Sequence, residues 1–289
     1  MHPALNASSL HLPLALQSAC LLSMHGYIPP DRCFAYLTWN EIAAMPDRDR
    51  VVIIQPCGAI EQHGPHLPLM VDSTIACGAI GAACDRLPVD LPCYVLPPLY
   101  YGKSNEHQNF PGTISLRTET LLSVLHDVAD SLYRAGFRRL IFANAHGGQP
   151  QIMEMAAVDI HARYPDFWVF PVFIWRVPNE TKSLLTDVER DRAMHAGDAE
   201  TSLMLALDRD RVRTDLAICE YPPHCATLFQ TKGPLTYSWL TDDISQSGVI
   251  GDATIATPEK GDRILASLAE GWARAIIDVF QFAPPKTQP

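Results

Sequence analysis

The sequence predicts an α/β protein, a single-domain three-layer α/β/α arrangement around a mostly parallel sheet. Three observations carry this. Short apolar runs of strand length alternate along the chain with segments of helical period, the pattern of parallel strands joined by crossover helices. The length of 289 residues suits one large domain, or at most two modest ones. Hydrophobic residues make up 47% of the chain, enough for a core that covers both sheet faces.

In chain order, residues 1–35 read as an N-terminal extension, 36–282 as the main domain and 283–289 as a flexible tail. A short helix is predicted at 38–45, where Trp39, Ile42 and Met45 recur every three residues. The first strand, 51–55, is the apolar run Val51, Val52, Ile53, Ile54 closed by Gln55. Residues 74–87 follow as a helix rich in Ala, Gly and Cys, small enough to pack closely on a sheet or a symmetry partner. A second strand at 91–97 leads into 100–113, YYGKSNEHQNFPGT, whose Gly, Pro and Asn mark a polar rim loop. The helix at 116–135 carries the stripe Leu121, Leu125, Val128, Leu132 and Tyr133, and Gly136 ends it. A strand at 139–143, a helix at 151–162 and a strand at 167–175 continue the alternation. Residues 178–197 are polar and loop-like, 198–207 are helical, and 215–257 form an irregular lid or oligomer contact. A last helix runs over 258–280.

Charge and cysteine usage narrow the function classes. The formal net charge is -10, from 32 acidic and 22 basic residues, and no Lys/Arg-rich helix or basic patch is present. Nucleic acid is therefore not an expected partner. Charged residues are only 19%, below the usual quarter or so, which points to surface covered by another subunit in a homo-oligomer. No run reaches the roughly 20 apolar residues that span a membrane. The apolar stretch 10–22 contains His11 and Gln17 and lacks a basic flank, so it does not read as a signal peptide. Eight cysteines without a CxxC pair suggest buried thiols of a reducing, cytoplasmic protein.

The chemistry gathers in the stretch 55–72, QPCGAIEQHGPHLPLMVD, directly after the first strand. It holds Glu61, His63, His66 and Asp72, and an unpaired carboxylate at a buried strand end is costly unless a cation neutralises it. Glu61 and His63 are two apart, so in extended backbone they point to one side. Asp72 stands where a helix N-cap would stand, and capping is its plainer role. His146 sits in NAHGGQ, at the carboxyl end of the strand 139–143, where sites of parallel sheets lie. A late cluster, HAGDAETS at 195–202, brings His195 and places Glu200 on the first turn of a helix, where its plainer role is to favour the helix N-terminus. This mixed imidazole and carboxylate set is what Zn²⁺, Mn²⁺ or Fe²⁺ accept, and a bridging Asp could hold two such ions about 3.5–4 Å apart. A hydroxide supplied there near neutral pH hydrolyses an amide without a covalent intermediate, and no G-x-S-x-G motif argues for a serine nucleophile.

Five blocks together resemble the creatininase (creatinine amidohydrolase) family: GAIEQHGPHLPLMVD at 58–72, SNEHQNFPGT at 104–113, NAHGGQ at 144–149, HAGDAETS at 195–202 and GVIGDATIATPEKG at 248–261. In family order they cover about residues 36–282. The resemblance implies a hexamer with two divalent ions per subunit, zinc, manganese or iron, acting on a small-molecule substrate. It implies Glu61, Asp72 and His146 on one ion, and His63, the bridging Asp72 and a further Glu on the other. In the creatinine-hydrolysing branch that Glu lies two residues beyond the histidine matching His146. Gly148 stands there in this chain, so the HGG-type branch is implied, with Glu200 taking over. His195 matches the family's catalytic histidine, which steadies the tetrahedral intermediate or protonates the leaving nitrogen. His66, Glu106 and His107 fall on family loops as supporting or rim residues. Creatinine recognition uses an aromatic residue where Gly147 stands, and Trp175 reads either as a substitute wall or as core. The implied reaction is hydrolysis of a cyclic amide or formamide. Creatinine itself, a cyclic-ketone carbon–carbon bond and a non-catalytic scaffold are the alternatives.

Overall fold

The computed structural model describes residues 26–285. The stretch 10–22, most of the 1–35 extension, Cys20 and the last four residues lie outside the described residues. The elements in chain order are α1 (Trp39–Ala44), β1 (Val52–Cys57), α2 (Val71–Cys84), β2 (Cys93–Val95), α3 (Thr118–Arg134), β3 (Arg139–Asn144), α4 (Pro150–Arg163) and β4 (Trp168–Phe173). Then come α5 (Thr181–Leu184), α6 (Asp187–Arg192), α7 (Asp198–Leu207), β5 (Cys219–Glu220), α8 (Thr241–Ile244), β6 (Gly251–Asp252) and α9 (Pro258–Gln281).

β2, β1, β3 and β4 form one sheet in that order, and every pairing is parallel. Alternation along β1 builds the two sides of the core. Val52 and Ile54 join one apolar cluster with Ile75, Ile80, Leu268 and Trp272, from α2 and α9. Val51 and Ile53 join the other with Leu121, Leu125, Ile152 and Met153, from α3 and α4. Each fully buried Val or Ile of this kind contributes about 1.5–3 kcal/mol, so the sheet is clamped from both faces. Trp272 closes one side, its indole N–H donating to Ile174 O at 3.0 Å just beyond β4. The α/β/α layering expected from the alternation is the fold found.

One boundary region differs from expectation. The stretch 178–197, read as loop, contains α5 and α6. α6 is six residues long with Glu189 as its buried residue, so it has no apolar period to betray it. Thr186 caps it through the Glu189 N–H instead. Residues 26–35 pack on the body: Ile28 is in the core, Arg32 donates to Leu91 O and Pro88 O, and Cys33 bridges to Val95 at the β2 edge. The described cysteines are free thiols, five of them buried. Among the described residues no helix is long and apolar enough to cross a membrane.

Candidate metal centre

The register of β1 and β3 sets the site. Cys57 pairs with Asn144, so the two strands end level and their following loops open at the same edge. From β1 the loop turns Glu61 and His63 inward, and Asp72 follows on the first turn of α2. From β3 the turn at 145–149 delivers His146. Its shape is held by Asn144, which accepts from His146 N and donates to His146 O, and by Gln149, which donates to both Asn144 Oδ1 and Gly58 O. His195 arrives on a segment paired with Ile250, and Glu200 on the first turn of α7. Asp72 is not the N-cap: α2 starts at Val71, after Met70. Its carboxylate turns away from the helix N–H groups and toward the histidines.

Glu61, Asp72 and His146 are at most 2% exposed, so their charges cannot lean on water. His146 Nδ1 lies 3.2 Å from Glu61 Oε2 and 3.2 Å from Asp72 Oδ2. His63 Nε2 lies 3.4 Å from Asp72 Oδ1 and 4.0 Å from Glu200 Oε2. The ligand atoms of Glu61, Asp72 and His146 fall within metal-binding reach of one another, as do those of His63, Asp72 and Glu200. Asp72 belongs to both groups and offers a different oxygen to each. Glu61 Oε2, His63 Nε2 and Asp72 Oδ2 are buried without any hydrogen bond, a costly arrangement that a bound cation relieves. The residues present fit divalent ions by donor type as well as by placement.

The far ring nitrogens agree. His146 Nε2 meets Lys103 O at 2.8 Å and His63 Nδ1 meets Glu61 O at 3.1 Å. A carbonyl only accepts, so each of these nitrogens carries the proton and the carboxylate-facing nitrogen is left for a cation. A ligand histidine needs this outer bond. His195 Nε2 meets Gln62 O at 2.6 Å, which frees Nδ1 toward Glu61 Oε1 at 3.7 Å. His195 also forms a metal-capable group with Glu61 and His63, as do Glu106 and His107 with Glu61. Distance alone therefore leaves overlapping sets.

Without a cation, protons fill the gap. Burial alone would push His63 down, but Asp72, Glu200 and Glu61 outweigh it and push it up to about 9. Burial likewise disfavours charge on His146, yet Glu61, Asp72 and Glu106 hold it well above its ordinary value. Burial pushes Glu200 up to about 7, with His63 pulling the other way. Burial, then His63 and His107, hold His195 well below the ordinary imidazole value. Cations held at His63 and at His146 would displace both protons, so full loading is expected to release about two to three protons per chain at neutral pH. Affinity rises as pH rises toward about 9 and falls more steeply below about 7, where Glu200 also takes a proton. Zinc calorimetry in buffers of different ionisation enthalpy reads the proton count directly.

The remaining predicted residues are placed as follows. Glu106 Oε1 sits 3.3 Å from His146 Nε2, with Lys103 Nζ 3.7 Å from its other oxygen. It occupies the space beside Gly148, where a Cβ would lie 1.7 Å from Glu106 Oε1. A side chain at position 148 would therefore have to displace the end of Glu106. His107 Nε2 faces Glu61 Oε1 at 3.5 Å, and its ring stacks on His195. His66 is bonded through Nε2 to Thr201 Oγ1, on α7, at 2.8 Å. Burial, then His63, pushes it down to about 4. Trp175 packs against the apolar cluster on the α2 and α9 side. Gln62 escaped the sequence reading although its main-chain oxygen holds His195 and its side chain reaches His107. Ala196 escaped too. It adopts φ 53°, a conformation costing about 1–3 kcal/mol, and aims its N–H at Glu200 Oε2, 2.6 Å away.

The family model described as Creatininase, creatinine amidohydrolase, matches residues 35–276. A mycofactocin precursor peptide peptidase of Mycolicibacterium smegmatis is 34% identical over 78% of this chain and 84% of its own length. A creatinine amidohydrolase of Pseudomonas putida is 32% identical over 84% of this chain and 95% of its own. The solved structure described as "Creatininase Mn" superposes with a TM-score of 0.69 at 28% identity, covering 88% of this chain and 99% of that one.

Proposed function

This chain belongs to the creatininase family and is a metal-dependent amidohydrolase, and from that premise we propose that it holds two divalent ions and hydrolyses a carbon–nitrogen bond of a small cyclic amide or formamide. The observation that carries the two-ion reading is Asp72, whose two oxygens face different histidines. Glu61, Asp72 and His146 would hold one ion, and His63, Asp72 and Glu200 the other. Zinc, manganese and iron all suit such donors.

Such ions would supply polarisation of a scissile carbonyl and hydroxide near neutral pH. The chain's own residues do the rest. Asp72 fixes the spacing of the two positions. His195, its Nε2–H committed to Gln62 O, keeps Nδ1 as the nitrogen that takes a proton and returns it to the leaving nitrogen. Burial, then His63 and His107, keep that ring neutral. Ala196 holds the Glu200 carboxylate in place through its N–H.

Position 147 bears on the substrate. A Cβ at Gly147 would meet nothing within 4 Å, so the space next to that position is open within the chain. The same openness, together with the likeness to a peptide peptidase, favours a second reading in which the amide ends a short peptide. Turnover of a panel of formamides, hydantoins, lactams, creatinine, cyclic ketones and short peptides separates these readings. Cyclic-amide or formamide turnover supports the first, cleavage of peptides alone supports the second, and turnover of cyclic ketones alone removes the amide.

Glu200 gives a sharper test of the second ion. In Glu200→Gln the expected metal content falls from two to one per chain while the fold is kept, as read by elemental analysis and circular dichroism. A content of one in both wild type and variant would make the centre mononuclear. We also propose a cytoplasmic homo-oligomer, hexameric as the family resemblance implies. Exposed apolar side chains such as Trp39, Met155 and Val158 support the assembly, and buried free thiols support the location.

A further inference from the structure

The donors and acceptors around Gln62 carry one inference beyond the reaction. Gln62 is 5% exposed and fully engaged. Its Oε1 accepts from Gly64 N at 2.8 Å, and its Nε2 donates to Gly248 O at 3.0 Å. Both partners are main-chain groups of fixed polarity, so the amide has one orientation and needs no choice between its two ends. Position 248 is shaped for it. Gly248 has φ 84°, and a Cβ there would lie 2.0 Å from Gln62 Oε1.

The second hydrogen of that amide faces His107 Nδ1 at 2.9 Å. An amide nitrogen has no lone pair to accept with, so His107 Nδ1 must accept. Thr241, on α8, meets the same nitrogen at 2.7 Å, and its hydroxyl is free to donate. A neutral imidazole with an unprotonated Nδ1 carries its proton on Nε2. That nitrogen faces Glu61 Oε1 at 3.5 Å.

We propose that Gln62 locks His107 with its proton on Nε2, directed at Glu61, so that His107 is a positioning residue for that carboxylate and not a metal ligand. The assignment rests on the two-metal reading only in taking Glu61 as a ligand, and the tautomer follows without it. It removes the group Glu61, Glu106 and His107 from the overlapping candidate metal sets, because neither ring nitrogen of His107 has a lone pair to give. His63, His146 and His195 differ: each commits its outer nitrogen to a carbonyl and leaves the inner one open.

Two-bond proton–nitrogen spectra of protein labelled at histidine, recorded with zinc added, test the tautomer. His107 signals are assigned by their loss in His107→Ala. The expected wild-type pattern is a protonated Nε2 and an unprotonated Nδ1, and a proton on Nδ1 would overturn the proposal. Gln62→Glu replaces the amide donor with an acceptor, so Nδ1 becomes protonated. An unchanged Nδ1 in folded Gln62→Glu would remove Gln62 as the determinant. Thr241→Val keeps the wild-type pattern, and a proton moved to Nδ1 there would assign the control to Thr241. Zinc titration supplies the second readout. His107→Ala keeps the wild-type zinc stoichiometry with affinity weakened about 10–100-fold, whereas loss of one equivalent makes His107 a ligand and refutes the proposal. Absence of zinc binding in wild type would defeat the two-metal reading while leaving the spectra to decide the tautomer.

Discussion

Asp72→Ala leaves the protein unable to keep either ion. Each of its oxygens serves a different side of the site, 3.4 Å from His63 and 3.2 Å from His146. Supporting groups around metal ligands are worth about 10–100-fold in affinity, so loss of a shared ligand weakens both positions by at least about 100-fold. The fold survives, because Val71 and Ile75 still seat α2 in the core. In the metal-free protein the buried histidines can shed protons when their carboxylate partner goes, which limits the stability loss. Thermal melts with and without added zinc check this. Zinc raises the Tm of wild type by linkage, and the Tm of Asp72→Ala stays where it was. A variant that keeps one ion and a zinc-dependent Tm would show that Asp72 serves one side only.

His195→Ala has the opposite signature, with metal content kept and turnover lost. Its main chain pairs with Ile250 whatever the side chain, through bonds of 3.2 and 2.8 Å, so the segment carrying Glu200 stays in place. What goes is the Nδ1 atom proposed to take and return a proton. General acid–base groups of this kind contribute about 10²–10⁴-fold, and kcat falls by that amount on whichever substrate the panel identifies. The competing outcome is specific. Nδ1 lies 3.7 Å from Glu61 Oε1, and Glu61, His63 and His195 form a metal-capable group. Loss of one ion in His195→Ala would assign the histidine to the metal and not to the proton.

Much of this was legible in the sequence because it follows from burial and period. The run Val51–Ile54 had to be a buried strand, and the charged groups directly after it had to be neutralised. The alternation of strand and helix then put His146 at the same edge as Glu61 and His63. What stayed hidden depends on individual hydrogen bonds. A glutamine between two candidate ligands looks like any polar loop residue, and only the fixed polarity of Gly64 N and Gly248 O reveals what Gln62 orients. Asp72 read both as a bridging ligand and as a helix cap, and only the helix start at Val71 removes the capping role. α6 was invisible because Glu189, its buried residue, is polar and is held by Tyr221 and by the N–H groups of Asp198 and Asp252. The left-handed Ala196 carries no local sequence signal, since glycine would be the ordinary choice there.

Anomalous diffraction from zinc-grown crystals tests most directly whether a pair of ions shares Asp72. Two peaks about 3.5–4 Å apart are expected astride Asp72, one beside Glu61 and His146 and the other beside His63 and Glu200. A single peak held by Glu61, His63 and His195, or no peak among these residues, would contradict the shared pair.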